Sequence, residues 1–431
     1  MGKDCPAMPP IVRLTRRDFI RTGAAASALA LSAKSYAKTP GANNRLRMAF
    51  IGCGTIATHH LEKLIAIRGE ENLELVAVCD VYNKRAEDFQ GKIQEAGGKA
   101  GFYNDYRKIL ERKDIDYVLI ATPEHSHSYI TLDALDAGKH IYVEKPMTHD
   151  IKESQDVVRK VKETGLKLQV GVQGTADDSY SSAFEAIKAG KLGKLVQAQI
   201  DYVRNYEGPG PWRREGGSSD AAKPADLDWE TWQKPAPLHE WDPHRYYEWR
   251  CYSDYSGGVA TDLFVHRLTR LIKACGLQFP ERVVGMGGIY TWNDGRDLPD
   301  SLELLAEYPA MEGITDGMTV HVLGTMANDD GNAHCIRGTD ATLTFTKDGW
   351  EIKSDVTADK DAIIATHKKT GGEDVDPHHR NHHAAIRDGA ALNCPAELGL
   401  YGVVAVRMGN LSWFNKKMMA WDKEKEVVTP A

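Results

Sequence analysis

RMAFIGCGTIATHHLEKLIAI, Arg47–Ile67, decides the fold. Its first residues, Arg47–Gly52, form a short apolar run of the kind that makes a strand buried on both faces. That run enters G-C-G-T-I-A, with Gly52, Gly54 and Ala57 at the positions of a dinucleotide-binding turn. The first small residue permits a tight turn, the second lets a pyrophosphate approach the backbone, and the third lets a helix lie close. The residues that follow are apolar at helical spacing, so the turn opens a helix whose N-terminus can face phosphate charge. A second strand, LELVAVCD, ends in Asp80, 26 positions after Gly54. A carboxylate there can bond adenosine ribose hydroxyls and would repel a 2′-phosphate, which favours NAD over NADP; Arg85 nearby weakens that preference.

Outward from this unit the alternation continues. Tyr106–Leu110, Thr131–Ala137 and Val157–Thr164 read as helical surfaces, and Tyr117–Ala121 and Ile141–Glu144 as buried strands. In a parallel α/β sheet the strand ends gather along one edge, where ligands bind. The expected cofactor contacts are therefore Gly52, Gly54, Thr55, Ile56, Asp80 and Arg85 from the first unit. Later strand ends add Thr122, Pro123, His125, His127, Glu144, Lys145, Pro146 and Gln173.

Ahead of the first strand, TRRDFIR (Thr15–Arg21) precedes the small, apolar run GAAASALALSA (Gly23–Ala33). Adjacent arginines before a short apolar stretch predict a twin-arginine signal, cut after Ala37 and delivering the protein to the periplasm. The run is too short for a comfortable membrane span, and no stable membrane insertion is expected. Of 431 residues, 54 are Lys or Arg and 61 Asp or Glu, a formal charge of −7, so no general attraction to nucleic acid follows. Seven cysteines without a C-x-x-C pair are too few for a disulfide scaffold; Cys53 and Cys79 fall in cofactor-domain elements and suit buried thiols.

The chain resembles the Gfo/Idh/MocA family of NAD(P)-dependent sugar and cyclitol oxidoreductases. GCGTIA (52–57), ATPEHSH (121–127), VEKPM (143–147) and SGGVATDLFVHRLTRL (256–271) carry the resemblance, with HHRNHHAAIRDG (378–389) and NCPAELG (393–399) near the C-terminus. It implies an α/β protein with an N-terminal Rossmann domain and a C-terminal α/β domain whose open, mixed, largely antiparallel sheet supports a homo-oligomer. The expected division is signal 1–37, linker 38–46, NAD-binding domain 47–171, substrate-binding and oligomerisation domain 172–415, and tail 416–431. The resemblance also likens Lys145 to the family's active-site lysine, and Asp262 and His266 to its acid–histidine pair. Many relatives carry a second aspartate four residues after the histidine; here that position is Arg270, which would alter substrate orientation or anion preference.

Side-chain chemistry agrees. Asp262 and His266, four apart at helical periodicity, can share one face. His266 can remove a hydroxyl proton while hydride leaves its carbon, Asp262 can orient the imidazole or bond a substrate hydroxyl, and Lys145 can stabilise the alkoxide. The D-x-x-x-H pattern by itself is weak evidence for catalysis and better suits a buried polar network. His378, His379, His382 and His383 could hold a metal at i,i+4 spacing, but a polar wall is the preferred reading and no metal is expected. His59 and His60 should cover the first helix near the cofactor. YVRNYEGPGPWRREGG (202–217), DWETWQ (228–233), EWDPHRYYEWR (240–250) and CYSDY (251–255) mix aromatics with arginines. Such a segment suits carbohydrate recognition, with Tyr202, Tyr206, Trp212, Arg213, Tyr255 and Arg270 as candidates, or equally a subunit contact or hydrophobic mini-core.

Export constrains the chemistry, because a periplasmic enzyme has no cytoplasmic NAD pool. A tightly retained NAD that returns to its starting state is the expectation. The first reading is oxidation or reduction of a sugar, glycoside or cyclitol-like hydroxyl. The second is a redox glycosidase acting through a transient keto-sugar, as in relatives resembling family 109 glycoside hydrolases. The third is a catalytically silent carbohydrate-binding protein. The twin-arginine export machinery is the expected macromolecular partner.

Overall fold

The computed structural model describes residues 44–206, 210–213, 221–356 and 362–431. The expected signal (1–37) and most of the linker lie outside the described residues.

Six parallel strands form the first sheet: β1 (Leu46–Ile51), β2 (Leu73–Cys79), β3 (Gly101–Tyr103), β4 (Tyr117–Ile120), β5 (His140–Val143) and β6 (Leu168–Val170). Their order is β3-β2-β1-β4-β5-β6, a Rossmann arrangement that reverses direction between β1 and β4. That reversal opens a crevice at the C-terminal ends of these two strands. β1 is buried on both faces, which explains its unbroken apolar run. Met48 and Phe50 pack with Leu61, Leu64 and Phe89 on one face. Ala49 and Ile51 face a larger core that continues into the second sheet.

The second sheet takes β7 (Leu195–Asn205), β8 (Arg282–Gly288), β9 (Ser301–Tyr308), β10 (Met318–Thr325), β11 (Ala327–Asn328) and β12 (Cys335–Gly338). It continues through β13 (Ala341–Thr346), β14 (Gly349–Ser354), β15 (Ile363–Lys368), β16 (Met419–Asp422) and β17 (Val427–Pro430). Its order is β15-β14-β13-β12-β7-β10-β9-β8-β16-β17, with β11 pairing β7. β7 and β10 run parallel, and the other pairs are antiparallel. The sheet is mixed and largely antiparallel, as the resemblance implied.

In β9, Leu302, Leu304, Ala306 and Tyr308 point into the core while Glu303 and Leu305 point outward. The helix Ala396–Asn415 lies on the inner face, brought close by two glycines. A Cβ on Gly409 would meet the Leu304 side chain at 2.2 Å, and one on Gly285 would meet the Gly409 carbonyl at 2.2 Å. Among the described residues no helix is long and apolar enough to cross a membrane.

The helix Val375–Asp388 packs against the first sheet's layer. Val170 N–H donates to the Cys394 carbonyl at 2.9 Å, and the Gln169 amide reaches the Asn381 side chain at 3.0 Å. Cys53, Cys79, Cys251, Cys275, Cys335 and Cys394 are free and buried.

Candidate active site

A cleft of about 960 Å³ runs from the glycine turn across the C-terminal strand ends to Asp262 and His266. Gly52 makes the turn at φ +91°, and a Cβ there would strike the backbone of Ala121 and Thr122 at 2.8 Å. Gly54 faces open space, its nearest potential contact being Arg85 at 4.0 Å. It also opens the helix Thr55–Ile67, whose N-terminus carries neither a side-chain cap nor an acidic residue in its first turn. Free backbone N–H groups beside an open cleft suit a pyrophosphate. Asp80 accepts the N–H groups of Cys53 (2.8 Å) and Tyr82 (2.9 Å), which fixes the turn and leaves its carboxylate on the cleft wall. Burial raises its pKa, partly offset by Arg85. These residues fit a bound dinucleotide.

At the far end, Asp262 does not sit in a regular α-helical turn. Val259–Phe264 forms a π-helical turn leading into the α-helix Val265–Cys275. Wide turns of this kind recur at functional sites, and this one directs Asp262 and His266 into the same cleft. The turn is held from the first sheet by Glu124, which is buried. Ser256 Oγ and Thr261 Oγ1 each donate to it at 2.7 Å, and Gly257 N–H donates at 3.2 Å.

Lys145 Nζ donates to Asp262 Oδ1 (2.8 Å) and to the Asp262 carbonyl (2.9 Å), leaving one N–H without a partner among the described residues. Arg250 Nε donates to the same Oδ1 at 2.8 Å, and Trp212 Nε1 to Oδ2 at 3.2 Å. Burial opposes ionisation of Asp262, but Arg250 and Lys145 outweigh it and hold the carboxyl well below the ordinary range. Of the two expected roles of Asp262, orienting the imidazole or bonding a substrate hydroxyl, the first is not what the geometry shows: among the described residues its carboxylate makes no hydrogen bond to His266 and instead accepts from two cations and an indole, holding Lys145. His266 is pushed down to about 3, first by burial and then by the Lys145 ammonium, so its imidazole is neutral near pH 7. Beside Lys145, Glu144 accepts His60 Nε2–H at 2.8 Å, and His60 Nδ1 and His379 Nε2 share a hydrogen bond at 2.8 Å.

Of the expected cofactor contacts, Gly52, Gly54, Thr55, Ile56, Asp80, Arg85, Thr122, Pro123, His127, Glu144, Lys145 and Gln173 line the cleft. His125 and Pro146 do not. His125 is buried behind the wall with Nε2 at 2.9 Å from the Trp232 carbonyl, and the Pro146 carbonyl faces His127 Nδ1 at 2.8 Å.

Of the expected substrate contacts, only Tyr202 lines the cleft. Trp212 acts through Asp262. Tyr206 is joined to Arg204 at 3.2 Å, and Arg213 is consumed by ion pairs with Glu248 and Asp294. Tyr255 is buried among Trp232 and His125, and Arg270 pairs with Glu373 at 2.5 Å over the Tyr180 ring. The histidine patch is fully buried and spread over separate partners. His378 Nε2 donates to the Val170 carbonyl (2.9 Å), and His383 contacts Glu71 and Tyr117 (both 2.9 Å).

Several wall residues escaped the sequence reading: Arg204, Trp232, Tyr246, Trp249 and Arg250. All fall inside the aromatic-rich stretch, but nothing in the residue order separates them from Trp229, Tyr252 and Tyr255, which do not line the cleft. Part of this stretch crosses the cofactor end. Asp228 N–H donates to the Val81 carbonyl (3.0 Å), Asn83 N–H to the Asp226 carbonyl (3.2 Å), and Tyr82 bridges Leu227. Residues 225–228 thus strap across the segment that follows Asp80.

Family comparisons agree with this architecture. Residues 46–172 match the oxidoreductase family's NAD-binding Rossmann fold, and residues 182–273 its C-terminal alpha/beta domain. A scyllo-inositol 2-dehydrogenase (NAD(+)) from Bacillus subtilis is 34% identical over 153 residues, 36% of this chain and 43% of that protein. A glycosyl hydrolase family 109 protein from Shewanella baltica is 28% identical over 212 residues, 44% of this chain and 46% of that protein. The chain thus spans less than half the length of these relatives. Among solved structures, an oxidoreductase domain protein from Kribbella flavida has a TM-score of 0.67 at 17% identity, covering 88% of this chain and 100% of that one. Levoglucosan dehydrogenase in complex with NADH has a TM-score of 0.65 at 18% identity, covering 87% and 98%. With both of its domain types matched, the chain belongs to the Gfo/Idh/MocA oxidoreductase family.

Proposed function

We propose that this protein oxidises and reduces a hydroxyl of a sugar or sugar derivative by hydride transfer with NAD. The observation that carries the reading is a neutral His266 and a Lys145 with one N–H unpartnered among the described residues, set in one cleft with an open glycine turn. Bound at that turn, NAD supplies the hydride acceptor. His266 takes the hydroxyl proton, and Lys145 stabilises the oxygen as its charge develops. Asp262 is a positioning residue that fixes the lysine. Asp80 supports NAD as the preferred form. Export through the twin-arginine route to the periplasm, domain divisions at 171 and 415, and a homo-oligomer built on the open sheet face, where Met286 and Leu305 are exposed, belong to the same reading.

A closed redox cycle ending in glycoside cleavage is the second reading. The strap of residues 225–228 favours it, because a cofactor held beneath it would stay with the protein between half-reactions. The test is a carbohydrate and glycoside screen on purified protein loaded with NAD, followed by NADH absorbance and product mass. Net NADH formation supports a dehydrogenase, and cleavage without NADH accumulation supports the cycle. Lys145→Ala and His266→Ala should lower turnover at least a hundredfold with folding retained. Near wild-type turnover in both would overturn the assignment.

A further inference from the structure

Three features outside the hydride-transfer machinery invite explanation: the buried histidines of Val375–Asp388, the strap at 225–228, and the positive charge near His266. The third carries furthest. Arg204 lines the cleft, its Nη2 donating to the Tyr202 hydroxyl at 2.8 Å and its guanidinium lying 5.1 Å from the Tyr202 ring centre. The Tyr202 ring lies 6.4 Å from that of His266, so Tyr202 links Arg204 to the His266 end of the cleft. Among the described residues Arg204 has no carboxylate partner. Arg250 stacks on Trp249 at 4.2 Å and spends only Nε on Asp262, leaving both terminal nitrogens without a protein acceptor among those residues.

The carboxylates at this end are already occupied. Asp262 is taken by Lys145, Arg250 and Trp212, and Glu144 by His60 and the Lys145 N–H. Lys145, Arg204 and Arg250 thus bring three cations to the cleft beside a neutral imidazole, in a chain whose overall charge is −7. Arg204 gives one N–H from each terminal nitrogen to the Tyr202 and Tyr206 hydroxyls and keeps others, so both guanidinium groups retain N–H donors that suit a planar carboxylate.

Resting on the oxidoreductase reading above, we propose that the substrate is an acidic sugar, a uronic acid or its glycoside, with its carboxylate held by Arg204 and Arg250.

The test pairs neutral sugars with their uronates: glucose with glucuronate, galactose with galacturonate, mannose with mannuronate, and the methyl glycosides of each. Glucose 6-phosphate serves as the phosphate arm, and kcat/KM is measured on NAD-loaded protein. At least one uronate should exceed its neutral partner about tenfold or more, and Arg204→Gln should reduce that ratio by a similar factor. Calorimetric binding of the preferred uronate should weaken in parallel. Turnover of neutral sugars with no uronate preference, a preference unchanged in Arg204→Gln, or a preference for glucose 6-phosphate would overturn the acidic-sugar assignment while leaving sugar oxidation standing. Cofactor reduction with no member of either series would overturn both.

Discussion

The Lys145–Asp262 contact sets a stability test that separates a held lysine from an oriented histidine. The two groups lie 2.8 Å apart with side chains 11% and 9% exposed, so solvent screens them little. At an effective dielectric of about 20, their attraction is about 6 kcal/mol before desolvation is charged against it. Breaking a buried pair from one side costs about 3–5 kcal/mol, because the surviving charge loses its partner. The two sides differ here. Asp262→Asn leaves Lys145 and Arg250 without their shared anion, so it should cost the full amount. Lys145→Met leaves Asp262 still bonded to Arg250 and Trp212, so it should cost about half as much. In a double-mutant cycle read by urea unfolding, the double variant should lose less than the two single losses together, by about 1–3 kcal/mol. Strict additivity, or a larger loss from Lys145→Met than from Asp262→Asn, would refute the view that Asp262 is built around the two cations.

With its imidazole held near 3, His266 should stay neutral as pH falls from 7 to about 4, seen by NMR of the ring. Lys145→Met should move that titration upward, because the lost ammonium no longer opposes imidazolium formation; a downward move would contradict the geometry. Buried His125 and His378 are each held down at about 4, below their ordinary range, mainly by burial. Between pH 6 and 4 the unfolded chain therefore binds more protons, and stability should fall on acidification by about 2–3 kcal/mol per pH unit from these two residues. Unfolding midpoints that stay constant from pH 6.5 to 5 would count against it. Leu227→Asp, which disrupts the strap on Tyr82, should speed loss of bound NAD at least tenfold in repeated gel filtration, judged by absorbance of the retained cofactor. An unchanged loss rate would show that the strap does not retain the dinucleotide.

Local chemistry made the first half of the site legible. Gly52, Gly54 and Asp80 act through backbone geometry within one strand–turn–helix–strand unit, so their spacing carried the information. Lys145 and His266 were legible through the EKP and D-x-x-x-H patterns. Their partners were not, because those contacts come from distant chain segments. Arg250 reaches Asp262 through a wide π-turn that residue order does not announce, and His60 meets Glu144 across the first helix. The aromatic stretch misled for a related reason. Tyr255 and Trp249 have similar composition around them, yet one fills a core and the other walls the cleft. Arg213 and Arg270 looked available for substrate in sequence, but each found an acidic partner far along the chain.

Glu124 explains why these distant segments form one site. It follows the Thr122-Pro123 strand end of the first sheet, yet its lone pairs are taken by Ser256, Gly257 and Thr261 at the start of the π-turn. Burial raises its pKa, and the two hydroxyl donors oppose that rise, so the carboxylate is costly without its partners and is best accommodated with the turn docked. The same docking brings Lys145, at the end of the neighbouring strand, onto the Asp262 carboxylate. Each contact spans more than 100 residues and joins the two sheets' layers at the edge where the strand order reverses. The geometry of the proposed hydride-transfer site is therefore a property of the joint, and substitutions at Glu124 should act on Lys145 through the π-turn rather than on substrate directly.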